Sequence, residues 1–402
     1  MILQNQITRH EFLDILISFK DKQLIKVVTG IRRCGKSTLL NMFHQCLLDS
    51  GIKSEQIIHI NLEDGDFFDI TDFRLLYEYI NSRLVSDKKN YVIIDEVQNI
   101  PEFQKACDAL YVKKNVDLYL TGSNAKLLSG DLATLLSGRY VQIKMLPLSF
   151  KEYISAVGED NLLQKYSDFI ENGSFPYTLS LSVKQENRAY LDGVFNSILI
   201  KDIASRGKIS DLNMLTDVIK FLFDSVGSPV SATNIANTMT SRGRKISVPT
   251  VENYIGFLCD AYILYKAERF DIKGKELLSG AAKYYIADTG LRFYLLGSKN
   301  VDMGHLLENV VYLELLRRGY KVNVGKFNDN EVDFVATNDY DTEYYQVAYT
   351  VADEKTLDRE LKPLNAINDH NSKYLLTTDF TPYTTYNGIK QMNVFKWLLG
   401  KM

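Results

Sequence analysis

Eight consecutive residues have the types and order needed to wrap a polyphosphate. Gly30-Ile31-Arg32-Arg33-Cys34-Gly35-Lys36-Ser37 follows the pattern glycine, any four residues, glycine, lysine, serine. Glycines let the backbone fold round an anion without side-chain clash. The loop N–H groups and the N-terminus of a following helix then point at the phosphates. In such a loop Lys36 brings a point charge to the β- and γ-phosphates and the Ser37 hydroxyl ligates magnesium. Thr38 adds a hydroxyl near the α-phosphate. Context separates this motif from a chance match in a glycine-rich turn, and the context is present. LIKVVTG (24–30) reads as a buried strand, and a helical pattern runs from Lys36 to about Asp49 with Leu39, Leu40, Phe43 and Leu47 on one face. The chemistry expected is binding of ATP with Mg2+.

Two further acids suit that chemistry. YVIIDE (91–96) is an apolar strand ending in Asp95 and Glu96. Strand C-termini line the ligand crevice of a doubly wound sheet. Asp95 there would hold Mg2+ through a water, and Glu96 would act as general base on the attacking water. Helix capping by the same two acids is the plainer reading. DLYLTGS (117–123) is the next strand, and a hydroxyl or amide of Thr121-Gly122-Ser123-Asn124 at its end, Ser123 or Asn124 above all, could sense the γ-phosphate and orient water, or merely cap a turn. Asn61 and Glu63, at the end of IIHINLED (57–64), could restrain Glu96 as a switch. Arg139 could reach a neighbouring subunit as an arginine finger in a homo-oligomer, or be an exposed structural arginine.

These residues need a scaffold that aligns strand ends. Strands at 24–30, 57–64, 91–96, 117–123 and 141–148 alternate with helical patterns at 36–49, 73–84 and 103–111, which predicts a parallel α/β sheet covered on both faces. Beyond residue 150 the pattern turns mostly helical, with a break at Gly173-Ser174-Phe175-Pro176. Three helical segments are expected over 231–270. Mixed α/β returns over 286–402, with a helix at 304–318. The predicted domains are 1–150 (ATPase core), 151–210 (helical lid or linker), 211–285 (winged-helix-like) and 286–402 (nuclease-like).

Composition bounds the partners. The chain has 402 residues, 46% hydrophobic and 24% charged, with a formal net charge of −3. That is a globular profile without a whole-molecule footprint for nucleic acid. Its four cysteines, Cys34, Cys46, Cys107 and Cys259, show no CxxC spacing, so zinc and redox motifs are absent. No apolar run approaches the roughly 18 residues of a membrane span. The N-terminus lacks the layout of a signal peptide. The expected setting is cytoplasmic.

TGIRRCGKSTLL, IIHINLED, YVIIDEVQNIPEF, LTGSNAKLLSG, LSGRY and LPLSFKEY together resemble prokaryotic AAA+-like P-loop ATPases that carry a C-terminal domain of unknown function (AAA_14 with DUF4143). FIENGSFP, ILIKDIASRGKI, FDIKGKELL, YYIADTGLR, LLENVVYLELLRRGY and EVDFVA extend the likeness over almost the whole chain. Ser174 departs from it, standing where the family more often has glycine. The resemblance implies a winged-helix segment after the ATPase core, then a fold similar to PD-(D/E)XK nucleases.

In the winged-helix-like segment Ser247 can cap a helix with Pro249 in its first turn. Arg242, Arg244 and Lys245 precede that helix and could contact DNA phosphates, or form a solvated loop of a protein-binding module. In the nuclease-like segment the resemblance places Glu308 on the leading helix, Asp333 in EVDF, and Gln346 on the next strand. Ordinary ion pairing would also explain Glu308 and Asp333. Ala348 stands where such nucleases have the lysine that steadies the attacking water. A weak or inactive nuclease is therefore expected, unless Lys326 or Lys373 substitutes in space. Three functions remain open: an ATPase gating a DNA- or partner-binding C-terminal half, a nucleotide-dependent switch with little turnover, and an ATP-regulated nuclease, which Ala348 disfavours.

Overall fold

A computed structural model describes residues 7, 9–128, 138–207, 209–298, 301–380 and 384–401. Two compact units divide the chain: Met1–Pro147 with Asp260–Tyr262, and Leu148–Cys259 with Ile263–Met402.

The first unit is built on five parallel strands: β1 (Ile25–Thr29), β2 (Ile57–Asn61), β3 (Asn90–Asp95), β4 (Val116–Gly122) and β5 (Tyr140–Lys144). Their order is β2-β3-β4-β1-β5. β1, β3 and β4 are buried at every position, as expected of strands covered on both faces. Alternate residues face opposite sides. Val27, Ile60, Val92, Ile94, Leu118 and Leu120 join one apolar cluster with Leu76 and Ile80 of α3 (Phe73–Asn81) and Phe103, Ala106 and Leu110 of α4 (Phe103–Tyr111). On the other face Tyr119 meets Phe43 of α2 (Lys36–Asp49), ring centroids 4.5 Å apart. α1 (His10–Ser18) packs against α2. Asp72 caps α3 through the Arg74 and Leu75 N–H groups, which sets where that helix begins.

One buried ion pair crosses this sheet at the end away from the phosphate loop. Lys26 on β1 and Asp117 on β4 are both almost wholly buried and bonded to each other. Burial lowers the Lys26 pKa, and the adjacent Asp117 opposes that shift. Asp117 also accepts from the Asp21 N–H and the Tyr119 hydroxyl, both at 2.8 Å.

The second unit carries a nine-stranded mixed sheet, ordered β13-β14-β12-β11-β10-β9-β7-β8-β6. Its strands are β6 (Pro229–Val230), β7 (Leu264–Asp271), β8 (Glu276–Ile286), β9 (Lys321–Phe327), β10 (Asn330–Thr337), β11 (Thr342–Ala348), β12 (Ser372–Thr377), β13 (Thr384–Tyr386) and β14 (Ile389–Asn393). Helices at Phe150–Val157, Leu162–Asn172, Lys184–Ser197 and Leu212–Asp224 precede it. The break at residue 173 is stereochemical. Gly173 has φ +87°, and a Cβ there would lie 2.6 Å from Asp288 Oδ1. One expectation needs correction. Only two helices, Ala232–Ser241 and Val248–Asp260, lie within 231–270, because the stretch after them is β7, which carries Tyr265 and Phe270 and pairs with β8. The edges expected at 210 and 285 both fall inside this unit. β7 bonds to both β8 and β9, so one sheet runs across the boundary at 285. Among the described residues no helix is long and apolar enough to cross a membrane.

Truncating Asp117 to alanine strands the Lys26 ammonium in the interior. The expected cost is about 3–5 kcal/mol of stability. Urea denaturation followed by circular dichroism reads it, and the double variant Lys26→Met, Asp117→Asn should recover most of the loss.

Candidate nucleotide site

The loop after β1 is shaped by its glycines. Gly30 has φ +154°, and a Cβ there would sit 2.1 Å from the Met145 carbonyl oxygen. No other residue fits that approach. Gly35 has φ +102° and forms the N-cap of α2, while Arg33 also takes a positive φ of 69°. The Cys34 N–H bonds the Ile31 carbonyl at 3.3 Å, closing the turn. Burial pushes the Cys34 thiol pKa up, and its Sγ lies 3.6 Å from the Met145 carbonyl oxygen. Arg9, just before α1, braces the loop from behind. Its guanidinium donates to the Cys34 carbonyl at 3.1 Å and the Leu146 carbonyl at 2.9 Å.

Lys36 is buried inside the loop. Its ammonium donates to the Gly30 and Ile31 carbonyls at 3.0 and 3.2 Å and lies 3.8 Å from Glu96 Oε1. Ser37 is exposed and Thr38 half-buried on the first turn of α2. The acid pair therefore converges on the loop, although β4 lies between β1 and β3.

Thr121 organises the acids. Pairing of Ile94 with Leu120 brings Thr121 beside Asp95. Its hydroxyl donates to Asp95 Oδ1 and accepts the Glu96 N–H at 2.9 Å. Glu96 takes a left-handed φ of 55°, which turns the chain out of the strand. Its carboxylate is bonded by the Gln98 amide, whose nitrogen also lies 3.5 Å from Ser123 Oγ. Asp95, Glu96, Ser123 and Asn124 are all buried.

Three expected site residues are arranged otherwise. Asn61 accepts the Glu63 N–H at 3.0 Å, and Glu63 pairs with Arg32 of the loop at 3.0 Å. Neither bonds Glu96, whose restraint comes from Gln98, two residues along its own chain. Arg139 lies at the sheet edge opposite the loop, where its carbonyl accepts the Ile25 N–H. Its guanidinium pairs with Asp108 of α4 and stacks over Tyr111 at 5.4 Å. It does not enter its own chain's site.

Arg9 and Gln98 were missed as site residues, and Thr121, in the turn expected to sense the γ-phosphate, was not expected to bond the two acids. Strand register was the available signal for Thr121, since the last residues of neighbouring parallel strands lie side by side. Arg9 has no such signal.

In the second unit Glu308 and Asp333 come together, around a lysine that sequence reasoning did not name. Lys283 on β8 stands 3.0 Å from Glu308 Oε1, 3.1 Å from Glu331 Oε1 and 3.6 Å from Asp333 Oδ1. Burial raises the pKa values of Glu308 and Asp333, and Lys283 pulls both back. Gln346 accepts the Asp333 N–H at 3.4 Å and donates to Glu360 at 2.9 Å. Neither proposed substitute lysine serves: Lys373 donates to the Ile367 carbonyl, and Lys326 pairs with no acid among the described residues. Of the three basic residues before the second helix, Arg244 is held by Asp217 and Asp211, while Arg242 and Lys245 are exposed.

Replacing Thr121 by valine keeps the shape and removes the hydroxyl. A buried carboxylate then loses a donor and a buried N–H loses its acceptor. The expected destabilisation is about 1–3 kcal/mol, measured by chemical denaturation. Unchanged stability would mean that the hydroxyl holds neither group.

Comparison with known proteins agrees with this geometry. Residues 22–154 match the AAA domain family. Residues 163–302 match a domain of unknown function, DUF8612, which replaces the DUF4143 assignment expected from resemblance. An uncharacterized protein of Haemophilus influenzae is 41% identical over 98% of this chain and 98% of its own length. MJ1544 of Methanocaldococcus jannaschii, also uncharacterized, is 30% identical over 84% of this chain and 77% of its own. In fold, the Walker-type ATPase PABY2304 of Pyrococcus abyssi aligns with 72% of this chain and 96% of its own at a TM-score of 0.51 and 15% identity. The chain thus belongs to one family with the Haemophilus and Methanocaldococcus proteins, and its first unit is an AAA domain of the P-loop ATPase class.

Proposed function

We propose that the first unit binds ATP with Mg2+ and hydrolyses it, and that the nucleotide state governs what the second unit binds. The observation that carries this reading is the convergence of Lys36 and Glu96, 3.8 Å apart, with Asp95 at the adjoining strand end. A loop that only capped a helix would not need a buried acid pair facing its lysine.

Each residue has a role in this reading. Gly30 to Gly35 and the first turn of α2 direct N–H groups at the phosphates. Lys36 exchanges the Gly30 and Ile31 carbonyls for β- and γ-phosphate oxygens, and Thr38 faces the α-phosphate. The Ser37 hydroxyl and the Asp95 carboxylate are hard oxygen donors that fit Mg2+, Asp95 through a water. The ion would neutralise charge on the phosphate oxygens. Glu96 takes the proton of the attacking water, with Ser123 and Asn124 orienting that water. Gln98 holds the Glu96 carboxylate aside until Lys36 engages phosphate. This arrangement is a brake on idle turnover. In this reading Arg139 acts on the site of a neighbouring copy.

In this reading, coupling to the second unit would run along the chain itself. Asp260–Tyr262 belongs to the first unit although the chain on either side belongs to the second. The Tyr262 hydroxyl accepts from Gln142 at 3.2 Å, and Gln142 also bonds Thr29, the residue before the phosphate loop. A second reading concerns the partner. Two helices followed by the β7–β8 hairpin have the element order of a winged helix, with Arg242 and Lys245 exposed between the helices. Duplex DNA is accordingly the candidate ligand of that segment.

Turnover assays with labelled nucleotide test the first reading. Lys36→Ala should abolish ATP binding. Glu96→Gln should keep binding and lower hydrolysis by about 10²- to 10⁴-fold. Wild-type protein that neither binds nor hydrolyses ATP refutes the reading, and normal hydrolysis by Glu96→Gln refutes the role given to Glu96. For the second reading, duplex affinity should fall steeply with salt, and the double variant Arg242→Ala, Lys245→Ala should flatten the slope by roughly 2. No binding at low salt removes DNA as the partner.

A further inference from the structure

The second unit holds a buried constellation that the ATPase reading does not use. Its acids are those expected of a divalent-metal site. Its centre is an ammonium. Lys283 is 4% exposed, Glu308 4% and Asp333 9%. The lysine stands within 3.0 Å of Glu308 and 3.6 Å of Asp333, with Glu331 at 3.1 Å closing the rim. Tyr285 donates its hydroxyl to the same Glu308 oxygen that Lys283 bonds. Asp333 Oδ2 accepts the Val347 N–H at 2.9 Å. Gln346 is spent on the Asp333 N–H and on Glu360, and Glu360 is itself held by Arg359 at 2.7 Å.

A magnesium ion shared by Glu308 and Asp333 would sit roughly 2.0–2.1 Å from a carboxylate oxygen of each. The Lys283 ammonium fills the space between those oxygens. Among the described residues no group of three or more His, Cys, Asp or Glu side chains stands where it could hold a metal ion. The metal implied by the nuclease resemblance therefore does not fit the residues present.

We propose that Lys283 is a tethered cation that takes the place of the divalent metal, so that Glu308, Glu331 and Asp333 form a structural centre instead of a phosphodiesterase site. The inference is independent of the nucleotide reading. It also supplies a reason why Ala348 is tolerated. With no metal-bound water to steady, the usual lysine position has no task, and a small apolar residue packs there among Val335, Tyr344 and Leu375. The lysine present on β8 and the alanine on β11 are then two parts of one arrangement. A buried charge that keeps its partners is tolerated, whereas one that loses them is costly.

The test melts the full-length, nucleotide-free protein in EDTA or in Mn2+. Wild type and Asp333→Asn are compared first. The expected result is the same Mn2+ effect in both, with no cleavage of circular DNA by either. Mn2+ stabilisation of wild type that Asp333→Asn abolishes, or Mn2+-dependent cleavage that it abolishes, overturns the proposal. Lys283→Met should lower the Tm in EDTA by about 10 °C. Mn2+ should restore part of that loss, and the double variant Lys283→Met, Asp333→Asn should not respond to Mn2+. Lys283→Met that melts like wild type also overturns the proposal. Should it fail to fold in either condition, the comparison of wild type with Asp333→Asn decides.

Discussion

The candidate nucleotide site depends on one hydroxyl. Thr121 stands between the Asp95 carboxylate and the Glu96 N–H, and it bonds both. Adjacent acids at a strand end would otherwise repel each other and point to opposite faces of the sheet. The hydroxyl draws Asp95 toward β4, and the left-handed turn at Glu96 swings the second carboxylate toward Lys36. A positive φ at a residue other than glycine costs free energy, of order 1–2 kcal/mol. It persists where surrounding contacts over-determine it, as the Thr121 and Gln98 bonds do here.

The same economy of charge recurs at three places. Lys26 and Asp117 satisfy each other between two inner strands, at the end of the parallel sheet away from the phosphate loop. Lys36 satisfies itself on two loop carbonyls and shares a crevice with Glu96. Lys283 binds a ring of carboxylates in the second unit. Only Lys36 rests mainly on backbone carbonyls, neutral partners that an incoming polyphosphate can outbid. The other two are locked to carboxylates, which hold an ammonium far more firmly in a low-dielectric interior. That contrast separates a lysine suited to a ligand from lysines that hold structure.

Much of the first unit was legible in advance. Five apolar runs became five parallel strands, and the helices at Lys36–Asp49 and Phe103–Tyr111 begin and end as the pattern suggested. Local signals sufficed because a strand buried on both faces is apolar throughout and a helix is periodic. The second unit was harder to read. Three helical segments were expected over 231–270, yet Leu264–Asp271 is a strand whose hydrogen-bond partners lie on β8 and β9. Lys283 lay outside any recognised motif, because its spacing from Glu308 and Asp333 has no local period. Lys373 was a plausible substitute by type, but its ammonium is committed to the Ile367 carbonyl.

By itself the sequence determined the phosphate loop, because every requirement of that motif is local: a strand, a tight turn with glycine where a Cβ would clash, and a helix start. It determined the acid pair too, as two carboxylates at the end of an apolar strand. Tertiary structure alone decided what those groups touch. It assigned Glu96 to Gln98 instead of Asn61 or Glu63, turned Arg139 toward Asp108, and set Lys283 against Glu308, Glu331 and Asp333. The physical reason is reach. Backbone preferences act over a few residues, whereas the partner of a buried charge is chosen by which strand ends and helix faces the whole fold brings within about 3 Å.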